Sequence, residues 1–538
     1  MPDASADSSA AVLPDEVDLV VIGSGAAGFS AAITAARAGL DVLMLEKQPT
    51  LGGTTARSGT WIWIPNHRLM REAGIPDPRD AALRYMARLN RPDRYNPNDA
   101  TLGLPPEEHA MLGAFYDHAS EALDELVDAG AIDPVMLDRA PDYFAELPEN
   151  AAPYGRVIVS RGRERPDQLT GRELIEDLTA TALRHGVRIE CGRRVTDVVR
   201  NESGSVSGVV TADQCVRARR GVVFATGGFT HAEDLLRDYF TVPLRHGGAS
   251  PGSEGDFVRI AQRLGTRFHN MSGAWLAPVP IEPLVADPSA FTTNIFALRG
   301  DSMILVDRTG RRVTNEKLPY NELASLFLRW DPATAEFPNL RLFMVFDDAT
   351  ARLFADGKSG NPLPFPGVDA PHVVTGQTID ELAARLSERL AHADAEVAAG
   401  IRLDAAFGET LSDTIRRFGD DADAGVDRAF GRGASPIELF RNGPARSGND
   451  RNPAMFRFSA EGPYHAIILA PATLDTKGGP AIDAYGRVLN ADGTAIPGLY
   501  AAGNCAGFPS AQAYWAGGAT VGLAITFGHL AARHAATS

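Results

Sequence analysis

The chain of 538 residues has only three cysteines, Cys191, Cys215 and Cys505. They form no CxxC pair and no metal-ligand spacing, which argues against a metal centre. Isolated cysteines of this kind are typical of buried free thiols in a reducing compartment. The sequence therefore predicts free thiols and no metal.

The sequence also lacks the features of secreted, membrane-spanning and nucleic-acid-binding proteins. Its first residues, MPDASADSSAAVLPDE, contain neither a basic region nor an apolar run, so we expect no signal peptide and a disordered lead over residues 1–15. No apolar stretch reaches the roughly 18 residues that a membrane span needs. The net charge of -16 argues against a nucleic-acid partner. Together these absences predict a cytoplasmic protein without a transmembrane segment.

A glycine-rich turn is the first positive feature. The segment GSGAAG places Gly23, Gly25 and Gly28 in GxGxxG spacing, after an apolar run and before a small-residue helix. The first glycine allows a tight turn, the second admits a pyrophosphate and the third permits close packing of the helix. Glu46, about 20 residues further on, is expected to accept hydrogen bonds from an adenosine ribose. This unit predicts a dinucleotide site.

Several further loops indicate that the dinucleotide is FAD rather than NAD. KQPTLGGTTARSGTWIWIPN follows Glu46, and its glycines, hydroxyls and arginine suit a ligand that continues past its pyrophosphate. FATGG (224–228) and YAAGN (500–504) end two more predicted strands at the same crevice. The candidate cofactor-binding residues are Gly23, Gly25, Ala26, Ala27, Gly28, Glu46, Lys47, Gly53, Thr54, Thr55, Ser58, Gly59, Ala225, Thr226, Gly227, Gly503, Asn504, Ala519 and Thr520.

The order of the predicted elements indicates an α/β chain whose central sheet is split in sequence. A meander over 195–212 and a separate strand over 221–228 are expected, then a hairpin over 302–316 and charged helices over 375–440. Strands are also predicted at 17–23, 41–47, 187–192 and 498–504. N- and C-terminal segments therefore enclose an inserted domain.

A series of blocks extends beyond the glycine fingerprint. In chain order they are VVIGSGAAG, EKQPTLGGTTARSG, ATGGF, GRRVTNEKLPYNE, GPYHAIILAPATLDTKGG, GLYAAGN and YWAGGATVGLAITFGHLA. Through them nearly the whole chain resembles the flavoproteins related to fumarate reductase and 3-ketosteroid dehydrogenase. The resemblance implies a two-domain flavoprotein, with a discontinuous glutathione-reductase-like (Rossmann-type) FAD domain over 16–285 and 465–538. An α+β substrate or cap domain over 286–464 is then inserted in it.

The C-terminal block distinguishes the two branches of that resemblance. Fumarate reductases bind a dicarboxylate with arginines and histidines, whereas AGNCAGFPSAQAYWAGGAT contains no cation. Burying two carboxylates without such partners would be too costly. The ketosteroid dehydrogenase branch therefore fits better. The family's covalent-flavin histidine is also absent from GGTTARSGT, which implies non-covalent FAD.

Three tyrosines and a glycine match residues that ketosteroid dehydrogenases use in catalysis. Tyr514 and Gly518 match the pair that binds the 3-keto oxygen, and a hydroxyl and a backbone amide are two donors to one oxyanion. Tyr320, in NEKLPYNE, matches the base that removes the C2 proton while hydride leaves C1 for flavin N5. Tyr143, in PDYFAELP, matches the tyrosine that assists it. We expect a hydrogen bond from Tyr143 to favour the ionised form of Tyr320.

The substrate implied is a small hydrophobic, steroid-like ketone, and the electron acceptor is named by no motif. Trp515 stands where the family has proline, so it is expected to reshape the pocket mouth. Trp61 and Trp63 lie on one face of a predicted strand, where they line the pocket or pack in the core. Oxidation of the 4,5 bond, another cyclic ketone, enoate reduction and flavin binding without turnover remain alternatives.

Overall fold

The computed structural model describes residues 12–163, 170–287, 295–355, 360–365, 368–508 and 510–538. Most of the predicted disordered lead, residues 1–11, lies outside these ranges. Across them no helix has the length and apolar character of a membrane span. Nor do the described residues contain a group of three or more acidic, histidine or cysteine side chains that could hold a metal ion.

Strands and helices alternate along the described chain. The strands are β1 Glu16–Ile22, β2 Val42–Leu45, β3 Ile62–Trp63, β4 Pro134–Met136, β5 Val157–Ser160, β6 Arg188–Glu190, β7 Val195–Arg200, β8 Val206–Thr211, β9 Cys215–Phe224, β10 Arg245–His246, β11 Phe268–His269, β12 Ala274–Pro280, β13 Met303–Val306, β14 Leu342–Asp347, β15 Val373–Gly376, β16 Tyr464–Thr476, β17 Gly479–Pro480, β18 Arg487–Leu489 and β19 Ala495–Ala501. The helices are α1 Ala26–Arg37, α2 Arg68–Glu72, α3 Arg79–Asn90, α4 Pro106–Asp128, α5 Gly171–Arg184, α6 Glu233–Tyr239, α7 Asp256–Leu264, α8 Ile281–Ala286, α9 Tyr320–Ser325, α10 Asp348–Phe354, α11 Ile379–His392, α12 Ala395–Ala398, α13 Phe407–Ala424, α14 Pro436–Asn442 and α15 Ala519–Thr537.

The first sheet is parallel at its centre and split in sequence, as predicted. Its order is β18-β19-β9-β1-β2-β6, and β1 lies between β2 and β9 with both pairings parallel. The apolar residues of β1 are buried, as a strand covered on both faces requires. Helix α1 packs against α15, so the two ends of the chain meet beside this sheet.

The meander is longer than the sequence indicates. Strands β7, β8 and β9 pair antiparallel, but β9 is one strand from Cys215 to Phe224. Its first half pairs with β8, and its second half joins the central sheet beside β1. The prediction of a separate strand over 221–228 is therefore wrong, because one strand serves both pairings.

A second sheet is built around the long strand β16. It has the order β10-β16-β14-β13, with β12 and β15 also paired to β16. Three of these strands, β10, β12 and all but the first residue of β16, come from segments that the sequence assigns to the FAD domain. The domain boundaries at 286 and 464 thus remain a prediction.

Two local expectations are corrected. The return arm of the hairpin over 302–316 is short: Val306 and Arg312 form a single antiparallel bridge, and the Val313 amide donates to the Leu305 carbonyl at 3.3 Å. Strand β13 pairs with β14 instead. Of the three cysteines only Cys505 is buried, whereas Cys191 and Cys215 are exposed.

Candidate active site

The glycine-rich turn sits where β1 and β9 end side by side. Gly23 has φ +99°, and a Cβ there would lie 2.3 Å from the Ala225 carbonyl oxygen. A Cβ on Gly28 would lie 1.9 Å from the Gly23 carbonyl oxygen, so this glycine permits the close packing of α1. At Gly25 the nearest atom to such a Cβ is 3.5 Å away, on Thr55. The turn therefore leaves its open side at Gly25, where a pyrophosphate would approach.

Glu46 lies at the end of β2 with 7% of its surface exposed. One carboxylate oxygen accepts hydrogen bonds from the Ser24 amide (3.1 Å) and hydroxyl (2.6 Å), and the other accepts from the Gln48 amide (2.8 Å). These donors fix the carboxylate against the glycine turn. Because Glu46 also lines the cleft beside that turn, it can receive ribose hydroxyls there.

The cleft holds about 1040 Å³ of empty space, and most of the predicted cofactor residues line it. Those residues are Gly23, Gly25, Ala26, Ala27, Glu46, Lys47, Gly53, Thr54, Thr55, Ser58, Ala225, Thr226, Gly227, Gly503, Asn504 and Thr520. Gly28, Gly59 and Ala519 do not contribute to the lining. The Lys47 ammonium is paired with Glu254 and Asp256, each at 2.8 Å, so its charge is already neutralised.

Sequence reasoning missed the buried carboxylate of Asp475 in this cleft. It accepts hydrogen bonds from the Gly228 amide at 3.0 Å and from Ser253 and Asn504 at 3.2 Å. Burial raises the pKa of this carboxyl. Asp475 thereby joins the loop after β9 to the loop after β19, which are the two glycine-ended segments predicted to converge. In the sequence, the only indication of Asp475 is its position in the block GPYHAIILAPATLDTKGG.

The three predicted catalytic tyrosines come together. The ring centroids of Tyr143 and Tyr320 are 5.9 Å apart, those of Tyr143 and Tyr514 are 5.3 Å apart, and those of Tyr320 and Tyr514 are 5.6 Å apart. Each ring is buried and edge-on to the others. We call these residues the tyrosine cluster. It is assembled from the segment before β5, the start of α9 and the loop before α15.

Gly518 stands at the start of α15, four residues after Tyr514. Its φ is +91°, and a Cβ there would lie 2.5 Å from the backbone carbon of Trp61. Only glycine fits this position without strain. Interactions with the Gly518 backbone and with Thr520 lower the pKa of Tyr514, although burial raises it overall. The pairing of the Gly518 amide with the Tyr514 hydroxyl stays a prediction.

An aromatic link connects the tyrosine cluster to the dinucleotide cleft. The Trp275 ring lies 4.8 Å from that of Tyr514, and its indole nitrogen donates to Asn504 at 3.0 Å. Asn504 is itself part of the cleft lining. The two sites are thus neighbours through one side chain. Trp275 was not singled out from the sequence, because it belongs to no recognised block.

Arg441 is the second residue that the sequence did not reveal. Its guanidinium donates to the Tyr143 hydroxyl at 2.9 Å. The guanidinium carbon lies 4.9 Å from the ring centroids of both Tyr143 and Tyr320. It reaches the cluster from α14, one residue beyond the charged helical region predicted over 375–440. The absence of cations in the C-terminal block therefore does not extend to the whole site.

Comparisons with known proteins agree with this geometry. Residues 18–521 match a protein family described as FAD binding domain. The chain belongs to this family. A 3-oxosteroid 1-dehydrogenase of Mycobacterium tuberculosis (strain ATCC 25618 / H37Rv) is 32% identical, over 97% of this chain and 98% of the relative. A 4-oxocyclohexanecarboxylate 2-dehydrogenase of Sinomonas cyclohexanicum is 31% identical, over 96% of this chain and 92% of the relative.

A solved structure supports the same fold. The crystal structure of 3-ketosteroid delta1-dehydrogenase from Sterolibacterium denitrificans, in complex with 1,4-androstadiene-3,17-dione, matches with a TM-score of 0.82 and 23% identity. The match covers 97% of this chain and 100% of that chain. The predicted two-domain flavoprotein fold, the FAD cofactor, the oxidoreductase class and the resemblance to ketosteroid dehydrogenases are confirmed.

Burial is the main influence on the ionisation of the tyrosines in this flavoprotein. Burial raises the pKa of Tyr320 well above its ordinary value, and Tyr143 and Tyr514 raise it further. Burial also raises the pKa of Tyr143. The expectation that Tyr143 favours ionised Tyr320 stays a prediction. The Arg441 charge lowers the pKa of both.

The three tryptophans proposed for the substrate pocket separate into two groups. Trp63 and Trp515 are fully buried, and their indole nitrogens donate to Asp142 at 2.7 Å and to Asn90 at 2.9 Å. Trp515 thus lies in the core rather than at a pocket mouth. Trp61 precedes strand β3 and packs on Gly517, where a Cβ would lie 2.7 Å from its ring. Among the three, Trp61 is the one placed beside the tyrosine cluster.

Proposed function

We propose that this flavoprotein is a 3-ketosteroid Δ1-dehydrogenase, which introduces a C=C bond beside the ketone of a steroid-like substrate. The observation that carries the proposal is the meeting of Tyr143, Tyr320 and Tyr514 with Gly518, one side chain away from the dinucleotide cleft. The 3-oxosteroid 1-dehydrogenase relative, which matches along nearly its full length, supports the same assignment.

In this proposal the ketone oxygen is held by the Tyr514 hydroxyl and the Gly518 amide. The hydrogen bonds from both donors become stronger as the oxygen takes up the charge of an enolate. Removing one such donor raises the activation barrier by about 3 kcal/mol. Tyr320 removes the C2 proton, and Tyr143, whose ring centroid lies 5.9 Å from that of Tyr320, is the partner that takes this proton onward. When bound, FAD supplies the acceptor for the hydride that leaves C1. The buried tyrosines keep water away from the reacting carbons.

The second candidate is oxidation of a smaller cyclic ketone. The 4-oxocyclohexanecarboxylate 2-dehydrogenase relative is nearly as similar as the steroid enzyme, and the aromatic rings of the cluster are closely packed. Oxidation of the 4,5 bond of a steroid is a further alternative. Enoate reduction has less support, because the described site residues hold no array of arginines and histidines around the tyrosines.

Three further properties belong to the proposal. FAD is bound without a covalent link, because the segment GGTTARSGT contains no histidine. The electron acceptor is a separate molecule, and the compartment is the cytoplasm. Residues 16–285 with 465–538 form the FAD domain, and 286–464 form the cap.

The test is anaerobic mixing of the yellow holoprotein with 4-androstene-3,17-dione. We expect the flavin absorbance to bleach and a 1,4-diene to form, with the new alkene hydrogens located by proton NMR. The variant Tyr320→Phe should slow bleaching by about 10²–10⁴-fold, as loss of a general base does. Bleaching by a cyclohexanone carboxylate but not by the steroid would favour the second candidate. A Tyr320→Phe variant that bleaches at the wild-type rate would refute the assigned base.

A further inference from the structure

The guanidinium of Arg441 is unusually placed. One terminal nitrogen donates to the Tyr143 hydroxyl at 2.9 Å and the other donates to the Phe296 carbonyl oxygen. The buried Nε has no hydrogen-bond partner. The two ring faces that it covers belong to Tyr143 and Tyr320. The cation is thus directed at the pair of tyrosines that would exchange the substrate's proton.

No carboxylate in the described ranges forms an ion pair with Arg441. The Arg441 side chain is half-buried, and desolvating part of a cation without a counter-ion has a cost that aromatic faces offset only in part. Arginine cannot reduce the cost by losing its proton. An anion formed inside the cluster would reduce the cost of the arginine charge. The groups there that can become anionic are Tyr143, Tyr320 and Tyr514.

Other charged groups near the cluster do not replace Arg441. The Lys477 ammonium lies 4.1 Å above the Trp275 ring, on the Tyr514 side, and donates to the Ala513 carbonyl. Glu322 is on α9 with Tyr320, and the Asn321 side chain donates to it. Its pKa is raised by burial, which favours the neutral acid. Arg441 is therefore the cation in direct contact with Tyr143 and Tyr320.

We infer that Arg441 is a positioning residue that stabilises a single negative charge shared by Tyr143 and Tyr320. This inference rests on the proposed function. Before the reaction the two hydroxyls hold one proton between them, and the charge lies mainly on the Tyr143 oxygen bonded to Arg441. As the Tyr320 oxygen accepts the substrate's C2 proton, its own proton moves to Tyr143, and both tyrosines become neutral. The electron pair of the broken C–H bond remains on the substrate as the enolate.

The experiment measures the pH dependence of flavin bleaching by 4-androstene-3,17-dione in single turnover. Wild type is compared with Arg441→Gln and Arg441→Lys, at equal bound FAD. In Arg441→Gln we expect the rising limb of the rate to shift to higher pH by about one unit or more, which corresponds to at least about a tenfold loss at neutral pH. The Arg441→Lys variant keeps the positive charge, so its pH profile should lie between those of wild type and Arg441→Gln. Arg451→Gln, which changes an exposed arginine, should match wild type.

A second readout does not depend on turnover. Titration of tyrosinate absorbance in the holoprotein should show one tyrosine whose ionisation moves to higher pH in Arg441→Gln. If no ketone bleaches the flavin but this shift appears, the proposed function fails and the charge assignment stands. If neither the rising limb of the pH–rate profile nor the tyrosine titration shifts in Arg441→Gln, the inference is overturned. It is also overturned if Arg441→Gln only weakens binding of a carboxylate-bearing ketone, because Arg441 would then recognise the substrate.

Discussion

Two buried polar clusters meet where Asp142 is followed by Tyr143, and they handle charge differently. In the first, the fully buried guanidinium of Arg156 donates to both oxygens of Asp77, at 2.6 and 2.8 Å, and to Asp142 at 2.5 Å. We call these three residues the ion cluster. In the tyrosine cluster the guanidinium of Arg441 contacts hydroxyl, carbonyl and ring atoms. Arg156 is paired with carboxylates and serves the structure, whereas Arg441 pairs with no carboxylate among the described residues and is available for chemistry.

The ion cluster holds the framework on which the tyrosines stand. Arg156 lies over the Trp63 ring at 5.3 Å, and Trp63 donates to Asp142. The Tyr143 amide, next along the chain, donates to the Trp515 carbonyl at 3.0 Å, which ties it to the loop that carries Tyr514. Because the Arg156 guanidinium bonds to both carboxylates, this cluster fixes the geometry of the segment that carries Tyr143.

The largest expected effect is on the ion cluster. Arg156→Met leaves Asp77 and Asp142 buried without their cation, and breaking such a pair costs about 3–5 kcal/mol of folding free energy. We expect the urea midpoint to fall accordingly, while the activity of the remaining folded fraction stays measurable. Arg188→Met is the matched control, because Arg188 pairs with Asp41 at the surface, and such pairs are worth about 0–1 kcal/mol. Equal losses in the two variants would contradict the comparison.

The nucleotide cleft could be predicted from sequence because its determinants are local. Gly23, Gly25 and Gly28 are needed within one turn, and Glu46 follows at the distance that one helix and one strand impose. The tyrosines were found by resemblance instead, because they are far apart along the chain. Their closeness depends on how α9 and the loop before α15 pack, which no local pattern expresses.

Arg441 and the second sheet were missed for the same physical reason. Arg441 lies on a seven-residue helix among charged residues, and nothing local distinguishes it from a solvated arginine. Strand β16 gathers partners from before and after it in sequence, so a boundary drawn between blocks does not follow the pairing. The return arm after β13 is short, and β13 takes β14, which lies further along the chain, as its main partner.

The next effect in size concerns the tyrosine cluster. Tyr514→Phe removes one of two donors to the ketone oxygen but keeps the ring that packs on Trp275. We expect kcat to fall by about 10²–10³-fold, with the urea midpoint nearly unchanged. Stopped-flow bleaching and equilibrium unfolding measure the two quantities. A variant that lost stability but kept its rate would show that Tyr514 belongs with the ion cluster, as a structural residue.

The smallest effect tests whether a cation without a direct ion pair always acts as Arg441 is inferred to act. Lys477 is such a cation among the described residues, but a lysine can lose its proton. Burial lowers its pKa to about 7, and the charge of Glu322 opposes this. Between pH 7 and its ordinary pKa near 10.5, the unfolded chain binds a proton that the folded chain has lost. Wild-type stability should therefore rise with pH in this window, by at most about 1.4 kcal/mol per pH unit.

Lys477→Met removes this titration, so its stability advantage over wild type should be greatest below pH 7 and should shrink as the pH rises. Urea unfolding of both proteins at intervals from pH 6 to pH 9 measures the difference. Lys477→Arg is the control, because arginine keeps its charge and should destabilise the fold at every pH in that range. If the difference between Lys477→Met and wild type does not change with pH, Lys477 keeps its charge on folding. An uncompensated buried cation would then be no mark of function, and the case for Arg441 would rest on its contact with Tyr143 alone.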